Sequence, residues 1–416
     1  MDSALESALR DVWQHVTSDR QSWLLGAGIS SNAGVPLMYP LTEYVQVLIA
    51  ENNPEQRALL GIVRDQLPTT CHIEHILSQI GDLISVADRS KSGQVAMNGR
   101  GTEASALRSL HNSILENIGF AVRYGYRPPT NGKEEVRGSV QKPIVTVEDH
   151  RAFVHKLFAA RMKPGFHQSP ISFFVLNYDT LLEDALALQQ IPFLDGFLGG
   201  AMAYWAPEVA YAENKAYRIN AKVFKLHGSV DWHLSEERTV IRCRDCCAYP
   251  NKAGNLLIYP QSTKYIATQK DPFASLFSFF RNTLATGPDN VLGICGYSFG
   301  DEHINGEIEA AMSAPGSKTV IVAFAKEVPS NGSTKLPAQL EQWLTKQSWC
   351  ERVFVASSHG LYHGNLKNLY ADDSELGWWK FSGLTSYLGD GPEIVPLARD
   401  SALTNETAAP TEEPPE

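Results

Sequence analysis

The sequence predicts an α/β fold: a doubly wound parallel sheet with a helical insertion after its first strand. Three observations lead there. Short, nearly continuous apolar runs alternate with helical stretches through the second half of the chain, which is how parallel strands covered on both faces read. The first such run, Ser22-Trp23-Leu24-Leu25, breaks at Gly26-Ala27-Gly28, where small residues let a helix begin with its free N–H groups facing an anion. Between that break and the next strand, apolar residues recur at three- and four-residue spacing, the period of helices.

Taken in order, MDSALESALRDVWQHV at the amino terminus reads as an acidic amphipathic helix and not as a signal peptide. After the first strand, LTEYVQVLIAENN (41–53), CHIEHILSQIGDLISVA (71–87), EASALRSLHNSILENIGFAV (103–122) and DHRAFVHKLFAARM (149–162) are helical, and the polar DRSKSGQVAMNGRGTE (88–103) is an exposed loop. Strands resume at PISFFVLNYDT (170–180) and continue through KVFKLHG (222–228), NLLIYPQS (255–262), NVLGICGYS (290–298), KTVIVAF (318–324) and CERVFVAS (350–357). Helices such as PFASLFSFFRNTLAT (272–286) and PAQLEQWLTKQS (337–348) lie between them. The expected organisation is the start of the sheet domain over 1–40, the insertion over 41–165 and the rest of the sheet domain over 166–390. A proline-rich acidic tail over 391–416 is expected to be disordered.

Composition narrows the class. The 416 residues suffice for a proper core, and 43% hydrophobic with 20% charged residues is ordinary for a globular protein. A net charge of −10 argues against a protein-wide nucleic-acid surface. No apolar run approaches the roughly 20 residues of a membrane span. Six cysteines, scattered apart from Cys243, Cys246 and Cys247, fit a reducing compartment, so a cytoplasmic protein is expected.

Parallel sheets bind ligands beyond the carboxyl ends of their strands. Gly28, Asn177, His227 and Gly296 each follow a predicted strand, so four distant segments converge on one crevice. Each residue alone has a plain structural reading: Asp179 before TLLEDALAL could cap a helix, and His227 could be a half-buried core histidine. Their convergence favours a dinucleotide site.

The segments read Gly26-Ala27-Gly28-Ile29-Ser30, Gly34-Val35-Pro36, Asn177-Tyr178-Asp179 and His227-Gly228, with GYSFGDEHIN (296–305) following. Together they resemble the sirtuin superfamily, which carries Gly-Ala-Gly-x-Ser, Gly-(Ile/Val)-Pro, Asn-x-Asp, His-Gly and a later phosphate turn in that order. The resemblance implies a Rossmann-like sheet and NAD+ as substrate, with cleavage of the nicotinamide–ribose bond. Positively charged nicotinamide leaves as a neutral molecule, so no paired carboxylates of the glycosidase kind are needed. Asn177 would orient water and a ribose hydroxyl, and His227 would accept a proton. Asp179 would fix the loop or a ribose hydroxyl. Gly26, Ala27, Gly28, Ser30, Gly34, Pro36, Gly296 and Ser298 would form the cofactor-binding turns.

Departures from the sirtuin pattern are equally informative. Deacylating sirtuins carry two Cys-x-x-Cys pairs soon after His-Gly; here only Cys243-Arg244-Asp245-Cys246 follows, so no zinc or other metal is expected. The usual arginine after the proline is missing, and Tyr39 is expected to take its place near the nicotinamide ribose. Tyr178, the DEHIN segment (301–305) and YPQSTKY (259–265) look instead like bacterial sirtuin-like proteins of anti-phage defence. In that group the implied activity is NAD+ hydrolysis, giving nicotinamide and ADP-ribose. The alternatives are an NAD-dependent protein deacylase and a non-catalytic NAD- or ADP-ribose-binding subunit. His72, Glu74 and His75 have the wrong spacing for a His-Glu-x-x-His metal helix, and Asp301, Glu302 and His303 read as helix caps. The arrangement most resembled pairs a subunit of this size with a separate HerA-family hexameric ATPase. A homo-oligomer is expected, with the helical insertion and the loop around Lys91 to Gly101 as a gate.

Overall fold

A computed structural model of the chain describes residues 3–391, apart from 131, 163–168, 212–218, 236–238, 245–255, 259–270, 286–289, 331–332, 347, 366 and 369–374. The tail beyond 391, Cys246, Cys247 and the YPQSTKY segment therefore lie outside the described residues.

The central sheet has nine strands: β1 (Gln21–Leu25), β2 (Ile171–Val175), β3 (Phe193–Leu194), β4 (Ala221–Lys225), β5 (Val291–Cys295), β6 (Val320–Ala325), β7 (Val353–Ser357), β8 (Leu361–His363) and β9 (Lys367–Asn368). They lie in the order β9-β8-β7-β6-β5-β1-β2-β4-β3. Pairing is parallel from β7 across to β3, and β8 at one edge is reversed, pairing antiparallel with both β7 and β9. The doubly wound α/β fold expected from the alternating runs is thus present. The strand order reverses at β1, so the crevice between the ends of β1 and β5 is the topological switch point where such sheets take their ligands.

β1 shows why the runs are apolar: all five of its residues are buried. Trp23 stacks on Phe324 with centroids 6.4 Å apart and meets Phe153 edge-on at 5.6 Å. One face of the sheet is covered by the helices Ser3–Val16, Glu148–Arg161 and Phe381–Asp390. The other is covered by Phe273–Ala285, Glu302–Ser313 and Ala338–Thr345. The amino-terminal helix packs Leu5, Leu9, Val12 and Val16 on the first face, as its amphipathic pattern predicts.

Two features differ from the sequence reading. Helix Glu148–Arg161, assigned by position to the insertion, packs Phe153, Val154 and Leu157 on the central sheet, so its apolar stripe faces Trp23 and Phe173. Leu256–Ile258, read as one more parallel strand, instead pairs antiparallel with Gly228–Leu234 in a second, five-stranded sheet. The remaining strands of that sheet are Val240–Cys243, Met202–Trp205 and Phe197–Gly199.

The rest of the insertion is a helical lobe with its own core. It comprises Met38–Asn52, Pro54–Arg64, Ile73–Arg89 and Ala104–Tyr124. Asn53 caps the second helix through its side chain, and Pro54 starts it with the fixed φ that a first turn suits. Tyr44 stacks on Tyr126 with centroids 4.1 Å apart, a contact worth about 0.5–1.5 kcal/mol beyond its buried area. Tyr178, Leu181 and Val230 join this core from the ends of the sheet strands, which seats the lobe over β2 and β4. The segment expected to be a loop and gate forms a hairpin, Gln94–Met97 with Arg100–Glu103, turning at Asn98-Gly99. It follows the carboxyl end of helix Ile73–Arg89, whereas Glu74 near the amino end meets Tyr178. Met97 of the hairpin is buried in the lobe core, so the segment is packed there and is not a free loop.

No helix among the described residues is long and apolar enough to cross a membrane.

Candidate active site

The register of the central strands brings the predicted residues together. Leu25 is level with Val175 on one side and Cys295 on the other, and Val175 is level with Lys225. Asn177 and His227 each stand two residues past such a pair, on neighbouring strands spaced about 5 Å apart. Gly26 and Gly296 each stand one residue past theirs.

Between β1 and β5 the wall of the crevice is backbone. The Gly26 N–H donates to the Cys295 carbonyl at 3.0 Å, and the Gly28 N–H donates to the Gly296 carbonyl at 2.9 Å. A Cβ on Gly26 would lie 2.7 Å from the Tyr297 Cα, and one on Gly296 would lie 2.6 Å from the Ile29 nitrogen. Gly296 also has φ +69°, a conformation that side chains resist. The glycines thus serve mainly to let two turns touch. The Gly28 amide, bonded to Gly296, is not the open phosphate donor that the sequence suggested; Ala27 and Ser298 are the exposed members of the rim.

Between β2 and β4 the floor is made of buried polar side chains. The Asn177 carboxamide donates to the Ser30 hydroxyl at 2.7 Å and to Asp179 Oδ2 at 3.2 Å. Ser30 is in turn 3.3 Å from His150 Nε2. Burial lowers the His150 pKa to about 4, against opposing attraction from Asp179, so the ring is neutral and Nε2 can accept the Ser30 proton. Ser30 is buried, bridges Asn177 and His150 and holds Asn177 in place; that differs from the phosphate contact expected of it. The Asn177 Oδ1 has no hydrogen-bond partner among the described residues, although Asn177 is only 5% exposed. A buried acceptor held in one orientation and left unpaired calls for a ligand hydroxyl or a water.

Asp179 does three things at once. Its Oδ2 accepts from Asn177, its Oδ1 accepts the Leu181 amide at the start of helix Leu181–Leu188, and its carbonyl accepts from Lys225 Nζ. Lys225 lies 3.9 Å from Glu183, both almost fully buried. Burial pushes the Glu183 carboxyl up to about 7, partly offset by Lys225 and Arg244. These contacts make Asp179 a fixing residue of the loop.

His227, 8% exposed, sits with Nε2 3.2 Å from Asp301 Oδ2. The Asp301 Oδ1 accepts the His303 and Ile304 amides, so the cap expected for helix Glu302–Ser313 is present and the second oxygen holds the histidine.

The remaining predicted residues lie around this floor. Gly34 and Pro36 are buried under the lobe where the chain leaves the first turn. Tyr39 is 58% exposed and meets His72 edge-on at 6.1 Å, so its contacts are with the lobe surface and not with the Asn177 cluster. The His72 and His75 rings meet at 3.9 Å, tilted by 42°, and among the described residues no three His, Cys, Asp or Glu converge as metal ligands.

Three members of the floor were not singled out from sequence: His150, Lys225 and Glu183. A signal for the first existed. His150 falls on the apolar stripe of its helix with Phe153, Val154 and Leu157, and a histidine there calls for a buried partner. Lys225, a charge inside the run Val223-Phe224-Lys225-Leu226, is a similar signal.

Residues 172–348, less than half of the chain, match the family model described as a SIR2-like domain. The match takes in Asn177, Asp179, His227, Gly296, Ser298 and Asp301, and it supports a sirtuin-like, NAD-related site. The first glycine turn and the helical lobe lie outside it. No curated protein matches the chain.

Proposed function

We propose that this chain is an NAD+ glycohydrolase that uses water to cleave the bond between nicotinamide and ribose. The observation that carries the reading is the orientation of Asn177: its donor is fixed by Ser30 and Asp179, and its acceptor is buried and unpaired. The dinucleotide would lie across the β1–β5 switch point, with its pyrophosphate along the exposed rim at Ala27 and Ser298. Its nicotinamide ribose would lie over Asn177 and His227. As the carbon–nitrogen bond lengthens, positive charge moves from the pyridinium ring to ribose C1′, and nicotinamide departs neutral. Water held by Asn177 forms the new C1′–O bond, and its proton passes to His227 and then to solvent. The products are nicotinamide, ADP-ribose and one proton.

The departures from deacylating sirtuins favour water as the acceptor. A five-stranded antiparallel sheet begins at Gly228, directly after His227. Helical-lobe residues pack on Tyr178, beside Asn177. In a cell, depletion of NAD+ is toxic, so we assign the chain to anti-phage defence as an effector. Its control would come from assembly, as a homo-oligomer and with a HerA-family ATPase.

Purified protein incubated with NAD+ should release nicotinamide and ADP-ribose in equal amounts without any acyl-lysine peptide. Release that requires such a peptide would replace this reading with a deacylase. Binding of NAD+ without turnover would leave only a binding subunit.

A further inference from the structure

The sequence reads Asp301 as a helix cap, and that role accounts for one of its two oxygens. Oδ1 accepts the His303 amide at 3.1 Å and the Ile304 amide at 3.4 Å, where the positive end of the helix favours a carboxylate. The other oxygen, Oδ2, is 3.2 Å from His227 Nε2, and the two side chains are only 12% and 10% exposed.

We propose that Asp301 is a positioning residue for His227: it fixes the ring's orientation and tautomer so that Nδ1 is the nitrogen that receives the proton. The inference rests on the hydrolase reading above and deepens it. A carboxylate can only accept, so the imidazole nitrogen facing it carries the hydrogen. In a neutral ring the lone pair then lies on Nδ1.

The loop is built to keep that oxygen in place. The Tyr297 hydroxyl lies 3.0 Å from the Asp301 carbonyl and 2.9 Å from Asn305 Oδ1, and the Asn305 amide donates to the Phe299 carbonyl at 2.8 Å. Phe299 is held at φ +62° between them. With backbone, cap and latch all engaged, Asp301 has one orientation, and His227 inherits it. The pairing also joins the β4 end of the crevice to the β5 end.

The test separates capping from positioning. Serine and asparagine both serve well as helix caps, so Asp301→Ser and Asp301→Asn retain the cap. Serine is too short to reach the imidazole. Kinetics of nicotinamide release, melting temperature and 15N NMR of histidine-labelled full-length protein are measured together, with the His227 signal assigned through His227→Gln. Asp301→Ser should lower kcat by about 100- to 1000-fold with KM changed less than about threefold, in line with loss of tautomer control in other histidine bases. Asp301→Asn should fall between, and both should melt near the parent temperature. The wild-type His227 should show a single Nε2–H tautomer, and Asp301→Ser a mixture. Full kcat in a normally melting Asp301→Ser protein, or an Nδ1–H tautomer in the wild type, would overturn the proposal. A kcat loss that merely follows a fall in melting temperature, recovered on cooling, would reduce Asp301 to its cap. Should the wild type release no nicotinamide at all, the hydrolase reading fails, while the NMR signal still decides the tautomer.

Discussion

On the β1–β5 side of the crevice the chain offers backbone, and on the β2–β4 side it offers polar and charged side chains. Gly26, Gly28 and Gly296 interlock because nothing projects from them, and two amide–carbonyl bonds join the turns. Opposite them, Asn177, Asp179, Lys225, Glu183 and His227 are all buried, and their order comes from hydrogen bonds and charge. One half should therefore respond to added volume and be indifferent to pH. The other should tolerate changes of shape poorly in function, and its stability should carry a pH signature.

The largest effect is expected on the polar side. Asn177→Ala and His227→Ala should each lower nicotinamide release at least about 1000-fold, while stability falls by no more than about 1–2 kcal/mol because no large core cavity opens. Kinetics and melting of the purified variants check both halves of that statement. A His227 variant with full activity would remove it from the chemistry.

On the backbone side, Gly296→Ala places a Cβ 2.6 Å from the Ile29 nitrogen at a positive φ. Steric conflict plus backbone strain should destabilise the fold by roughly 2–4 kcal/mol, read from urea unfolding. A loss below about 1 kcal/mol would mean that the two turns separate easily, and the contrast between the halves would weaken.

The pH signature is sharpest for Glu183. Its carboxyl is raised from 4.5 to about 7 by burial, so the folded protein holds a proton that the unfolded chain releases. Its contribution is fully present below pH 4.5 and is lost as pH rises through 7. Across that window the stability of the wild type relative to Glu183→Gln should fall by up to about 3 kcal/mol. His150, lowered to about 4, acts in the opposite sense: its contribution is present above pH 6.5 and is lost as pH falls through 4. Comparison with Glu183→Gln at each pH cancels that limb.

A smaller effect is expected at His150 itself. His150→Phe keeps the packing on Phe381 but leaves the Ser30 hydroxyl without its partner, so Asn177 should lose order and kcat should fall about tenfold. The smallest is a null result. Chelators should leave activity unchanged and no zinc should co-purify, since one Cys-x-x-Cys pair cannot close a tetrahedral site. One zinc per chain would revive the deacylase reading.

The sequence was most legible where burial is symmetrical. β1, β5, β6 and β7 are covered on both faces, so each reads as an apolar run and announces itself. The second sheet was not legible. Its strands are three to seven residues long, and Gly228–Leu234 mixes Asp231 and His233 with Val230 and Trp232. Leu256–Ile258 is as apolar as a parallel strand yet pairs antiparallel, a difference set by its partner and not by its own residues. In the site, residues that follow strands could be found because the fold class says where ligands go. Their supporting contacts could not: His150 acts through Ser30, and Asp301 reaches His227 from a helix cap, pairings that only the folded chain brings together.

Tyr178 stands between Asn177 and Asp179, and its ring is inserted among the lobe helices, with its hydroxyl 3.3 Å from Glu74. Withdrawing an aromatic ring of this kind from a core costs about 1.5–3 kcal/mol. Arg123 of the lobe also grips the Val230 carbonyl. Mechanically the lobe is a lever whose short arm is the Tyr178 ring. A push on its outer helices would reach the peptide that carries Asn177 through that ring. Leverage of that kind would let a neighbouring subunit, gripping only the outside of the lobe, tune the angle of a carboxamide it never touches.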